Sequence, residues 1–101
     1  MSTVKIKPFD PAEYLDDSES IAAYMSEALE SDDPAFITDA LGVVARARGM
    51  SEVAREAGVS RESLYRALRA DGNPEFATVL RVVRALGLRL SATPVQQRKS
   101  A

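Results

Sequence analysis

The stretch SEVAREAGVSRESLYRAL, residues 51–68, sets two short helical patterns on either side of Gly58-Val59-Ser60. Its reading decides between two outcomes: a corner that offers one helix to a groove of DNA, or a helical hairpin inside some other all-α domain. The steric demands of a helix-turn-helix can be checked residue by residue. Ala54 stands where the first helix must pass close to the second. Gly58 supplies a turn conformation that residues with a β-carbon enter only at a cost. Val53, Val59 and Leu64 sit where apolar groups would lock the two helices together, and Ser60 can cap the second helix by accepting from an orphan N–H.

With those residues facing inward, helical geometry turns Arg61, Glu62, Tyr65, Arg66 and Arg69 outward. Arginine suits both phosphate and the paired acceptors of guanine, and Ser63 and Tyr65 add hydrogen-bonding groups. The N–H groups at the start of the helix holding Ser51 could also take a phosphate. A solvated arginine face on an ordinary hairpin is the plain alternative for each feature taken alone; together, in a basic half of the chain, they favour DNA.

That half is real. Residues 1–45 carry 10 acids and 2 lysines, a net of −8, whereas residues 46–101 carry 11 bases and 5 acids, a net of +6. Two partners of opposite charge fit such a bipolar chain, as do two merely solvated faces. With 101 residues, 46% of them apolar, one domain with one modest core is expected. There is no Cys and no His, which disfavours metal sites, disulfides and nucleophile–base pairs, and no cofactor is expected. No catalytic pair or phosphate-binding glycine loop stands out, so an enzyme is the least favoured class. No leader and no membrane span is read from the sequence, and a cytoplasmic protein is expected.

Proline and glycine punctuate the rest. Asp10-Pro11, Asp33-Pro34 and Asn73-Pro74 each place a capping side chain before a proline suited to a first helical position. Gly49, Gly58, Gly72 and Gly87 read as stops. Helices follow at 11–15, 18–30, 34–48, 51–57, 61–69 and 74–86. Gly42 inside the third implies a close crossing, because glycine there costs about 1 kcal/mol relative to alanine. After Gly87, Leu88, Leu90 and Ala92 alternate with Arg89, Ser91 and Thr93 as in a short half-buried strand. A lone strand needs a partner, and a second copy of the chain is the simplest.

SEVAREAGVSRESLYRAL followed by GNPEFATVLRVVRALGLRL resembles the addiction-module antidotes of bacterial toxin–antitoxin pairs, and FDPAEYLDD, IAAYMSEAL and ALGVVARARGMSEVA extend the likeness over nearly the whole chain. The resemblance implies an all-α, lambda-repressor-like (Xre-type) helix-turn-helix domain of about five helices, with an N-terminal helical extension and a short C-terminal β-strand. It implies a homodimer that neutralises a RelE/ParE-like toxin and represses its own operon. Carried over by position, DNA contacts fall on Ser60, Arg61, Glu62, Ser63, Tyr65 and Arg66, with Ser51 and Arg69 added from helical geometry. RADGNP at 69–74 departs from the family's usual serine-proline, which would let the recognition helix run longer and leaves the role of Arg69 open.

The expected division is residues 1–31 as an acidic toxin-binding extension, 32–95 as the DNA-binding domain with its strand, and 96–101 as a disordered tail. Tyr14, Ile21, Met25 and Leu29 are the apolar anchors expected for the toxin, with core packing of that helix as the alternative. Two other functions compete: a stand-alone regulator of the same fold, and a protein-interaction module that no longer meets DNA, favoured by Glu62 on the outward face.

Overall fold

The computed structural model describes residues 15–96, which form five helices: α1 (Ser18–Glu30), α2 (Pro34–Arg48), α3 (Met50–Ala57), α4 (Arg61–Ala67) and α5 (Phe76–Ala85). The expected helix at 11–15, with its Asp10 cap, lies outside the described residues except for Leu15, which precedes α1 in no helix.

α1 and α2 have the expected bounds, and their caps explain why. Asp17 accepts from the Ser20 N–H at 2.7 Å while the Ser20 hydroxyl stands 3.4 Å from the Asp17 N–H, a reciprocal capping box. Asp33 accepts from the Ala35 N–H at 3.1 Å, with Pro34 in the first turn, where its missing N–H costs nothing. Between the two helices Asp32 takes a positive φ of 56°, a left-handed conformation that aspartate tolerates better than most residues.

One core joins all five helices. Ile21, Met25 and Ala28 of α1 are buried with Leu41 and Val44 of α2, Val53 and Ala57 of α3, Leu64 of α4, and Val82 of α5 together with Leu86 just after it. The N-terminal helix is therefore packed on the domain it precedes. α5 lies against α3, and α1 lies against α2.

The last two helices are shorter than their sequence patterns suggest. α4 stops at Ala67, and Leu68, 4% exposed, folds into the core as its cap. Gly72 is no left-handed stop, since its φ is not positive. Its backbone lies against the end of α4, where a β-carbon would come within 2.4 Å of the Ala67 carbonyl oxygen. The returning chain consumes residues through Pro74, so α5 begins at Phe76 after an N-cap at Glu75, not at Asn73-Pro74.

Among the described residues there is no strand: 88–96 lie in neither helix nor ladder. The expected strand at 88–92 thus lacks a pairing partner within residues 15–96; Leu88 and Leu90 are half-buried and Arg89 and Ser91 exposed, as the alternation requires, but Ala92, expected inward, is exposed. Gly87, at φ 77°, ends α5 with two bonds, Gly87 N–H to Arg84 C=O at 2.9 Å and Leu88 N–H to Val83 C=O at 3.0 Å, and so turns the chain into this segment.

Gly42 is explained by the end of α4, not by a helix crossing. A β-carbon there would sit 2.8 Å from the Leu68 carbonyl oxygen, a backbone atom that cannot swing aside. Gly42→Ala should therefore lower the unfolding free energy by about 1–3 kcal/mol despite its better helix propensity, as overpacking does; denaturant titration followed by circular dichroism measures this. Hydrogen bonding from the Ser20 N–H holds the Asp17 carboxyl below the usual carboxylate range. A depressed folded-state pKa gives stability that is present above the unfolded value and lost as pH falls through the folded one. Acid should therefore fray the start of α1, and Asp17→Asn should keep the cap but lose that pH dependence, read from amide chemical shifts of residues 18–21.

Candidate nucleic-acid interface

The corner is built as its sequence demands. Gly58 adopts a left-handed conformation, φ 75° and ψ 28°. Its N–H donates to the Arg55 carbonyl at 3.2 Å, and the Val59 N–H donates to the Ala54 carbonyl at 3.0 Å. This pair of bonds closes α3 and fixes the departure angle of the chain. Val53, Ala54 and Ala57 are buried on one side of the corner and Leu64 on the other, with Val59 packed at its edge.

α4 has one fully buried anchor within its span, Leu64 at 1% exposure. Leu68, four residues on, is buried as well. Two inward positions at that spacing turn the intervening side chains outward, and Arg61, Glu62, Tyr65, Arg66 and Arg69 are all exposed. This is the face expected from the sequence.

The details divide these residues into distinct roles. Arg61 and Tyr65, one turn apart, are held together: the guanidinium carbon lies 5.4 Å from the ring centroid and the Arg61 Nη2 donates to the Tyr65 Oη at 3.4 Å. This cation–π contact orders a cation and a phenol on an otherwise solvated helix. Arg66 and Glu62 stand on the same face beside Tyr65 and Arg69.

Ser60 and Ser63 are engaged with each other. Ser60 Oγ accepts from the Ser63 N–H at 3.0 Å and donates to Ser63 Oγ at 2.8 Å. Ser60 spends its only proton on this cap, leaving the Ser63 hydroxyl proton to be offered outward. Ser51 is the second residue of α3, which begins one residue earlier than its sequence pattern implied; it is exposed, and the helix has no side-chain cap at Gly49.

Arg69 lies past the end of α4, where the shorter helix puts it in a turn. Its fork is closed on Asp71, Nε to Oδ1 at 3.1 Å and Nη2 to Oδ2 at 3.0 Å. Both groups are exposed to solvent, so the pair is weak in itself, but it occupies both arms of the guanidinium.

Arg46 is the residue that the sequence reading passed over. It projects from the last turn of α2, yet shares a shallow depression with Tyr65 and Arg69, floored by Gly42 and Leu68 and with Asp39 at its rim. Nothing local in the sequence marks it, because its place depends on the close approach of α4 to α2.

Of the four expected toxin anchors, the three that are described differ in exposure. Ile21 and Met25 are core residues, 1% and 5% exposed, whereas Leu29 is 40% exposed; Tyr14 lies outside the described residues. Among the described residues no group of acidic side chains is placed to hold a metal ion, and no helix is long and apolar enough to cross a membrane.

If the Arg69 fork is held from DNA by Asp71, then Asp71→Asn should strengthen binding to duplexes of any sequence and steepen the salt dependence by up to about one unit of slope. Titrations of a scrambled duplex at several salt concentrations measure both.

Comparison with known proteins gives a consistent result. The family model of a probable addiction module antidote protein matches residues 5–94. A protein of Haemophilus influenzae described as uncharacterized is 50% identical over 99 residues, covering 98% of this chain and 99% of that protein. No solved structure matches.

Proposed function

The chain belongs to the family of probable addiction module antidote proteins, and on that premise we propose that it neutralises a cognate toxin with one surface and binds the operator of its own operon with another. The observation that carries the DNA half is the outward face of α4. Arg61, Glu62, Tyr65 and Arg66 are presented together by a helix that Leu64 and the Gly58 turn fix rigidly to the core. The architecture supports a lambda-repressor-like helix-turn-helix in which α4 enters the major groove. Arg66, in the last turn of α4, is the base-reading residue; Arg61, at the first turn and stacked on Tyr65, holds phosphate.

Operators of this class are read as paired half-sites, so the binding species is a homodimer. Residues 88–92 supply its contact by pairing with the same segment of a second copy, on the side where Leu80 of α5 is exposed beside Leu88 and Leu90. The toxin, a small basic protein of the RelE/ParE type, is met by the acidic N-terminal half, with Leu29 as the apolar contact within the described residues. Acidic groups speed such an encounter more than they tighten the complex.

Fluorescence anisotropy on the DNA upstream of the reading frame tests the first half. Arg66→Ala should cost about 1–3 kcal/mol on that duplex and little on a scrambled one. Arg61→Ala should weaken both and flatten the salt dependence by about one unit. Normal affinity in both variants, with normal helicity, would overturn the DNA reading. Leu29→Asp should abolish protection against the toxin in cells while leaving DNA binding intact. Light scattering should give twice the chain mass for the wild type.

A further inference from the structure

Leu88 and Leu90 lie over the core with an apolar crevice on either flank. Toward α5 the crevice is lined by Leu80 and Val83. Toward α1 it is lined by Ala22, Met25, Leu29 and, again, Val83. Among the described residues, no backbone hydrogen bond involves 89–96. A half-buried segment whose N–H and C=O groups have no partner among the described residues is a template for an added strand on each flank where space remains. The second-copy contact proposed above uses the α5 flank, which leaves the α1 flank open.

We propose that residues 3–7 of the same chain fill the α1 flank as a strand laid against residues 88–92. Thr3-Val4-Lys5-Ile6-Lys7 alternates apolar and polar groups as 88–92 does, so Val4 and Ile6 can enter the crevice while Lys5 and Lys7 stay in water. Pro8 has no N–H and ends such a strand at residue 7. The outward lysines discourage further pairing at the new edge.

The reach is sufficient. The described chain begins at Leu15, which is buried in the core just before α1. From there the crevice runs along Ala22 to Leu29, about 11–21 Å down a helix rising about 1.5 Å per residue. Residues 8–14 span about 23 Å when extended, and still about 17 Å with one helical turn at 11–15. The family match runs from residue 5 to residue 94 and so takes in residues 5–7 and all of 88–92.

The absence of cysteine makes the test clean. Lys5→Cys is combined in turn with Arg89→Cys, Ser91→Cys and Thr93→Cys, all at solvent-facing positions of the two segments, and each full-length double variant is oxidised mildly. One combination should close rapidly into an intramolecular disulfide of monomer mass, with the other two far slower. Equally slow closure in all three, or bonds only between chains, would overturn the proposal; the second of these outcomes would give the flank to another copy. Independently, Ile6→Asp in the cysteine-free chain should speed amide exchange at alternate residues of 89–93 at least tenfold while leaving α3 and α5 unchanged. Unaltered exchange at 89–93 would likewise overturn it. Neither measurement involves DNA or toxin, so its failure is separable from failure of the antidote reading.

Discussion

The Leu68 carbonyl resting on Gly42 sets the geometry from which the candidate interface follows. It lets the end of α4 approach α2 at backbone distance, closer than any residue with a β-carbon would allow. With Leu64 buried one turn earlier, α4 is pinned at two points along its inner line, and both its tilt and its rotation are fixed. The Gly58 turn fixes its other end. A helix of seven residues has little stability of its own; these contacts, and the Ser60 cap, supply it. The same approach brings Arg46 of α2 alongside Tyr65 and Arg69, so the cationic face owes its breadth to a glycine that carries no charge.

Where α4 meets DNA as proposed, the electrostatics of its face favour selectivity over raw attraction. Glu62 stands among the arginines, and Asp71 holds the Arg69 fork. Carboxylates near phosphate reduce binding to any duplex alike, whereas a carboxylate opposite a cytosine amino group is compensated. A repressor that must ignore most DNA gains from such opposing charges, because specificity is a difference of affinities. The Arg61–Tyr65 contact acts in the opposite direction in our reading, since a cation already ordered on a ring loses less freedom when it meets the phosphate of any duplex.

How much of this could be read in the sequence depended on whether the deciding contact was local. The bounds of α1 and α2 follow from side chains within three residues of their ends, and the corner at Gly58 follows from apolar spacing between Val53 and Leu64. The ends of α4 and α5 did not follow, because Gly72 is placed against Ala67 for closeness and not for a left-handed turn. Asn73-Pro74 looks like a helix start but is taken up by the returning chain. That Ser63 accepts from Ser60, and so keeps its own hydroxyl proton to offer outward, is likewise seen only in the structure. Ile21 and Met25 have the periodicity of an exposed apolar stripe or of a core face, and periodicity alone cannot separate the two; burial assigns them to the core.

That last assignment bears on how the two proposed activities coexist in so short a chain. α1 supplies core through Ile21, Met25 and Ala28, while its other faces carry the exposed Leu29 and the acids. α5 buttresses α3 through Val82 and neighbouring buried residues, while Leu80 and Val83 line the flanks of the C-terminal segment. Each helix therefore serves the common core with one face and a separate surface with another. Coupling between such surfaces requires an element with two arrangements whose balance both ligands shift. The five helices share one packed core. Residues 88–92 lie between these surfaces: Leu88 bonds back to Val83, residues 89–92 have no backbone partner among the described residues, and the segment's neighbours include both Leu29 of α1 and Val83 of α5. An occupant of that segment touches the helix that meets the toxin in our reading and the helix that supports the DNA-facing corner, which makes it the natural seat of any communication between them.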